Sequence, residues 1–294
     1  MRESAAAALG SPVVRALPQA GGFSPGLAVR ATLADGRAVF LKGIVTDHPA
    51  YPMYANEEAI NRSLPTQAPV PRMLDSWMAA GWLLMAFDDI PGGHPDLGPG
   101  STDLPEVIRL LDQLPNTVDP SPIPDAPPLA GLVHGGLHGW RRLANEPTHL
   151  DPWSARHLEQ LAAIEHDWPA NSAGSCLLHA DLRADNMLMH NGNALAIDWA
   201  YLNQGAAWID PAFLLPQLIR AGHTPSEAEA LMTEVTSWRN ASPAAITSFA
   251  AALGGYWERS SRLPAPPGAP YLRDYQAEMA AVARRWIAHR TGWV

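Results

Sequence analysis

The sequence predicts an α+β fold of two lobes, an antiparallel sheet with one helix over residues 1–88 and a larger, mainly helical lobe over 89–294. Alternating apolar runs joined by a hairpin turn lie in the first 88 residues, with one helical stretch among them. The last third reads as helices, about 225–239, 243–260 and 271–289. At 294 residues and 47% hydrophobic, the chain has material for a real core and length for two lobes.

In chain order, Gly21-Gly22-Phe23-Ser24-Pro25-Gly26 is turn-rich. Leu27 to Leu33 alternates as a strand, Asp35-Gly36 is a hairpin turn, and Ala38-Val39-Phe40-Leu41-Lys42 returns. Tyr54 to Leu64 is a helix that Asn56 can cap; Glu57 shares the face of Ile60 and Leu64, while Glu58 lies off it. Gly81 to Phe87 is a buried-type strand, followed by Asp88-Asp89-Ile90-Pro91-Gly92-Gly93. A helix opens at Thr102 or Asp103 with an apolar stripe of Val107, Ile108, Leu111 and Leu114; Asn116 to Gly131 is a proline-rich loop. Asp151-Pro152 opens a helix running from Trp153 through Ile164.

The segment His179-Ala180-Asp181-Leu182-Arg183-Ala184-Asp185-Asn186, followed by Asp198, carries the chemistry. Met187–Met189 and Ala194–Ile197 read as two strands joined by the Asn191-Gly192 turn, a hairpin that returns Asn186 and Asp198 to the same end. Phosphoryl transfer needs one carboxylate to orient or deprotonate the attacking hydroxyl, and an amide oxygen with a second carboxylate to hold Mg²⁺ on the phosphates. The spacing H-x-D-x-x-x-x-N matches the kinase catalytic loop and assigns those roles to Asp181, Asn186 and Asp198. A kinase also needs a strand lysine on the phosphates and a helical carboxylate to hold it; Lys42 and Glu57 are the candidates, with Glu58 the alternative.

On these residues the chain resembles the aminoglycoside phosphotransferase family, whose fold is protein-kinase-like and which also resembles choline and homoserine kinases. The family writes its loop H-G-D-x-x-x-x-N and its metal site I-D-W; here Ala180 replaces the glycine and Ile197-Asp198-Trp199 is retained. Ile209-Asp210-Pro211-Ala212-Phe213 resembles its G-D-P-x-Y-D-L stretch, with Ile209 for the glycine and Leu214 where its second Asp would be. The resemblance implies that Asp210 braces the catalytic loop. It also implies that Gly21–Gly26, like the family's G-G-F-S opening, holds phosphate through backbone N–H groups and the Ser24 hydroxyl. Finally, it makes Gly81–Phe87 lead into the inter-lobe linker, with backbone near Met85 to Phe87 bonding the nucleotide base.

Composition bounds the partners. Lys+Arg is 20 against Asp+Glu at 29, a net charge of −9, which argues against nucleic acid as a partner. One cysteine, Cys176, excludes an internal disulfide framework and reads as a packing thiol. The first nine residues are too short and weakly apolar for a signal peptide, and no run approaches the roughly 20 residues that span a bilayer, so a cytoplasmic protein is expected. His134 and His138 sit four apart without a third zinc-spaced ligand. Trp140, Trp153, Trp168, Trp238, Trp257 and Trp286 fall on or beside helical stretches and read as core. Glu258, Asp274 and Glu278 are acidic positions on solvated helix faces that could meet a cationic acceptor.

The expected protein is an Mg²⁺-dependent phosphotransferase that moves the γ-phosphate of ATP or GTP to a hydroxyl of a small molecule, an aminoglycoside or other antibiotic among the candidates. A kinase for an amino alcohol, sugar or nucleoside is the enzyme alternative. A catalytically silent nucleotide-binding module is the other. No A-P-E follows Asp198, which favours a small acceptor over a protein.

Overall fold

The computed structural model describes residues 2–19, 26–132, 137–146, 149–266 and 269–294. Helix α1 (Arg2–Leu9) precedes strands β1 (Val13–Pro18), β2 (Leu27–Leu33) and β3 (Ala38–Val45), then helix α2 (Tyr51–Ser63) and strands β4 (Met73–Ala79) and β5 (Trp82–Asp88). The five strands form one antiparallel sheet in the order β1-β2-β3-β5-β4. The Asp35-Gly36 turn joins β2 and β3 as the sequence predicts, with Gly36 at φ +89°. Helix α2 starts at Tyr51, not Tyr54. Pro52 occupies its first turn, so Asn56 lies inside the helix instead of capping it, and Leu64 is its C-cap.

The helical lobe contains α3 (Leu104–Val118), α4 (Leu129–Leu132), α5 (Gly139–Leu143), α6 (Pro152–Arg156), α7 (Leu158–Glu165) and α8 (Trp168–Asn171). Next come β6 (Cys176–Leu177), the hairpin β7 (Met187–His190) and β8 (Asn193–Ala196), and β9 (Gln204–Gly205), which pairs with β6. Helices α9 (Ile209–Arg220), α10 (Pro225–Met232), α11 (Thr236–Asn240), α12 (Pro243–Ser260) and α13 (Leu272–Thr291) complete it. Helix α3 runs three residues past Pro115, so the proline-rich loop is shorter than the sequence suggested. The 153–164 helix is broken at His157, and the 225–239 helix is split between Met232 and Thr236. No helix among the described residues is long and apolar enough to cross a membrane.

The two lobes are packed differently. The helical lobe shares one continuous core that runs to Ile287 on α13 and also takes in Ile60 from α2, with Trp140, Trp168 and Trp286 fully buried inside it. The sheet lobe divides its apolar residues between two small clusters, one per face. Strand period assigns them. Val39 and Leu41 join Leu9, Val29 and Leu33 on one face; Phe40 and Ile44 meet Tyr54, Met85 and Phe87 on the other. Lys42 alternates with the second set, which turns it toward α2.

Candidate active site

A cleft of about 820 Å³ separates the sheet from the helical lobe, and Lys42, Glu57, Asp181, Asn186 and Asp198 all reach it. From the sheet side Lys42 enters on β3, and Glu57 enters from the buried face of α2 beside Tyr54 and Ile60. Lys42 Nζ donates to Glu57 Oε1 at 2.8 Å and to Asp198 Oδ1 at 2.5 Å, and sits 5.4 Å from the centre of the Tyr54 ring. Burial works against the ammonium, but the charges of Glu57 and Asp198 outweigh it and hold Lys42 above the ordinary lysine range. Burial pushes Glu57 up, opposed by Lys42. Asp198, desolvated but bonded to Lys42, is held below the usual carboxylate range. Glu58 points elsewhere, to Arg62 and the Ser76 hydroxyl. The helix face thus decides between the two glutamates in favour of Glu57.

Gly26 makes this junction possible. A Cβ there would lie 2.1 Å from the Tyr54 hydroxyl and 2.5 Å from the Gly43 carbonyl oxygen, closer than any side chain tolerates.

From the helical side, β6 leads into the His179–Asn186 loop. His179 is fully buried; its Nε2–H donates to the Ile197 carbonyl at 2.7 Å, and its ring packs 4.9 Å from Trp199. The backbone N–H groups of His179 and Ala180 donate to the two oxygens of Asp210, at 2.9 and 2.8 Å. Asp210 therefore braces the loop although Leu214 stands in place of a second carboxylate. Ala180 sits at φ +60°, the left-handed region that suits glycine. Asn186, in a 3₁₀ turn (Ala184–Asn186), donates through Nδ2 to the Asp181 carbonyl at 2.8 Å and to its Oδ2 at 3.0 Å. Burial pushes Asp181 up, with Arg183 opposing. Arg183 lies 3.0 Å from Asp185 and 3.7 Å from Asp181, an ion pair on the loop itself.

The β7–β8 hairpin brings the second acid to the first. Its Asn191-Gly192 turn has both residues at positive φ, +50° and +72°. The Ile197 N–H donates to the Asn186 carbonyl at 2.9 Å, so Asn186 and Asp198 share one end, as the spacing predicts. Asp198 itself turns at φ +66°.

Some expectations need correction or fall outside the described residues. Ser24, with Gly21 to Pro25, falls outside the described residues, as does His134. Met85 is fully buried and off the cleft; it and Phe87 have ladder partners on both edges, from β3 and β4, so their backbone is spent in the sheet. Of the two, Phe87 lines the cleft. The main chain that leaves the sheet is Asp88-Asp89-Ile90, also on the cleft, fastened by Arg30 to Asp89 Oδ1 at 3.0 Å and to the Ile90 carbonyl at 2.7 Å. Glu258 is no solvated acid: it is 5% exposed and paired to Arg262 and Arg284. Among the described residues no group of three or more His, Cys, Asp or Glu gathers as a metal site.

The sequence also missed a wall. Tyr201, Phe213, Tyr256, Trp257 and Tyr275 line the cleft beyond Asp181, on α9, α12, α13 and the segment after Asp198. Aromatics spaced along helices read as core, and Trp257 is indeed mostly buried; only the tertiary fold turns their edges to one cavity.

Residues 26–259 match the family model described as "Phosphotransferase enzyme family". No curated protein matches the sequence significantly. Among solved structures, a choline kinase from Streptococcus pneumoniae superposes with a TM-score of 0.62 at 13% identity, covering 98% of this chain and 97% of that one. An amicoumacin kinase in complex with AMP-PNP and Ca²⁺ gives a TM-score of 0.59 at 15% identity, covering 94% and 88%. A spectinomycin phosphotransferase in complex with ADP and its antibiotic gives 0.59 at 15% identity, covering 94% of each chain. At these identities the likeness establishes the shared protein-kinase-like fold.

Proposed function

This chain belongs to the phosphotransferase enzyme family, and on that premise we propose that it transfers the γ-phosphoryl group of a nucleoside triphosphate, ATP or GTP, to a hydroxyl of a small molecule, with Mg²⁺ on the donor. The observation that carries this reading is the hydrogen-bonded chain Glu57–Lys42–Asp198 across the cleft, with Asn186 and Asp181 joined beside it.

The donor set suits Mg²⁺. Lys42 takes only Oδ1 of Asp198, whose side chain remains 32% exposed on the cleft. Asn186 uses its Nδ2 on Asp181, which leaves Oδ1 as an acceptor. One carboxylate and one amide oxygen form the kind of partial, hard-oxygen shell that Mg²⁺ completes with phosphate and water. When bound, the ion neutralises charge on the transferring phosphates. Lys42 holds the phosphates and Glu57 holds Lys42 in place. By the family resemblance, residues 21–26, with the Ser24 hydroxyl, are the further phosphate contacts. Phe87 and the strand exit at Asp88–Ile90 flank the base, and the boundary between nucleotide-binding and acceptor-binding parts falls between Asp88 and Asp89. Asp181, its side chain 40% exposed, orients the acceptor hydroxyl and takes its proton.

The test is donor consumption over a panel of hydroxylated acceptors, with Asp181→Ala beside the parent. The substitution should abolish turnover while Mg·ATP binding stays within a few fold. Full turnover in Asp181→Ala removes the role given to that residue; loss of Mg·ATP binding in Lys42→Met is the companion expectation.

A further inference from the structure

The acceptor end of the cleft is aromatic and amide-lined, and its carboxylates, Asp181 and Asp185, exceed their cation, Arg183, by one charge. Tyr201, Phe213, Tyr256, Trp257 and Tyr275 face the space beyond Asp181, with Gln217 and Gln276 between them. The polar tips are already ordered. Gln217 Nε2 donates to the Tyr275 hydroxyl at 2.9 Å, and Gln276 Nε2 to the Tyr256 hydroxyl at 3.4 Å. Burial raises the phenols of Tyr201, Tyr256 and Tyr275, so they stay neutral at working pH.

The charges tell the same story. Six carboxylates line the described cleft against four cationic partners: Asp89 has Arg30, Asp88 has Arg72, Glu57 and Asp198 share Lys42, and Asp181 and Asp185 share Arg183, so one negative charge is in excess at Lys42 and one at Arg183. Asp181 and Asp198 are, in addition, claimed by the transfer chemistry proposed above. The three acids that could have met a polycation are off the cleft: Glu258 is buried against two arginines, Glu278 pairs with Arg220 at 3.0 Å, and Asp274 does not line it. The residues outside the described set contain no Asp or Glu, so they add no negative charge. A ligand with several ammonium groups would find counter-charge for one of them at Asp181, Asp185 and Arg183 and would leave the others desolvated without any. A ring with an apolar face gains instead, by stacking on the aromatic wall.

Resting on the phosphotransfer reading, we propose that the acceptor is an alcohol that carries at most one positive charge and presents an extended apolar face to Tyr256, Trp257 and Tyr275. A polycationic amino sugar is excluded by the same wall.

The experiment uses the full chain with Mg·AMP-PNP and three probes. Kanamycin is the polycation. p-Nitrophenyl β-D-glucopyranoside is a neutral hydroxylated ring with an aromatic face. Benzyldimethyl(2-hydroxyethyl)ammonium is an aromatic alcohol with one fixed charge. Binding is read by calorimetry at about 50 mM and about 500 mM KCl, since screening separates charge-driven from face-driven binding. The expected result is saturable binding of at least one weakly charged probe, little changed by salt, with kanamycin weaker by about tenfold or more. Tyr256→Ala should weaken that probe by about tenfold while Mg·AMP-PNP affinity holds, and Tyr256→Phe, which keeps the ring, should restore it. Kanamycin binding as tightly as either other probe overturns the inference. So does a Tyr256→Ala variant with unchanged affinity, or binding of Mg·AMP-PNP with neither weakly charged probe. Failure of Mg·AMP-PNP itself to bind overturns the phosphotransfer reading, and this inference with it.

Discussion

Glu57 and Glu165 are both buried carboxylates, one in each lobe, and they are satisfied in opposite ways. Glu57, 3% exposed on α2, faces a cation: Lys42 lies 2.7 Å from Oε2. Glu165, fully buried at the end of α7, faces a helix N-terminus: the backbone N–H groups of Trp140 and Arg141 on α5 donate to it at 3.0 Å each. One is held by a partner that also touches the cleft; the other by backbone of its own lobe. The sheet lobe, with two thin cores, thus ties part of its stability to the proposed catalytic residues. The helical lobe, with one continuous core, does not. Local opening should begin in the sheet lobe.

The largest effect should come from breaking the sheet-lobe pair. Lys42→Met leaves Glu57 buried without its cation and should cost about 3–5 kcal/mol. Hydrogen exchange should place the loss in β3 and α2, with α9 and α12 still protected. Adding Glu57→Leu should return most of it, since Asp198, which also loses Lys42, keeps a side chain 32% exposed; a double variant as unstable as the single would deny that the buried Glu57 charge carries the cost. Next is Asp210→Ala, which orphans the N–H groups of His179 and Ala180 and should cost about 3–4 kcal/mol in thermal unfolding. Asp210→Asn, with one acceptor oxygen, should recover about half.

The Glu165 contact predicts a pH effect. Burial pushes this carboxyl up to about 7, against the opposing N–H bonds, from 4.5. A group whose native pKa is raised lends stability fully below its unfolded value and loses it as pH climbs through the native one. Unfolding free energy should therefore fall between pH 4.5 and about 7, by at most about 3 kcal/mol from this residue. Glu57 adds to the same window from the other lobe. Glu165→Gln should flatten the slope measured by denaturant titration across that range; parallel curves for variant and parent would assign the slope elsewhere. The smallest effect belongs to Ala180→Gly. It relieves a left-handed alanine but frees the unfolded chain, so the net change should stay within about 1 kcal/mol.

Legibility followed the range of the interactions. Strands β2, β3 and β5 and the β7–β8 hairpin were readable because turn chemistry and period act over a few residues. Lys42, Glu57, Asp181, Asn186 and Asp198 were readable because phosphoryl transfer imposes their order, and the fold gathers all five in the cleft. Strand β1 went unread because it is an edge strand, mostly exposed after Val13, and β4 because its residues are half-buried and its pairing is interrupted near Asp75. The breaks at His157 and at Thr233–Val235 carry no glycine or proline. Met85 was misplaced because strand order, not sequence, decides whether a strand's backbone is free. The aromatic wall drew on α9, α12 and α13 at once, a coincidence no local pattern announces.

The brace under the catalytic loop has a consequence for how such loops are recognised. Asp210 holds main-chain N–H groups, and main chain is the same whatever side chains residues 179 and 180 carry. The brace therefore survives the exchange of glycine for alanine that a fixed H-G-D pattern would reject, even with Ala180 at a left-handed φ of +60°. A search that asks for an acid some thirty residues downstream of the His-x-Asp, instead of a glycine within it, would gather chains like this one that a stricter signature passes over.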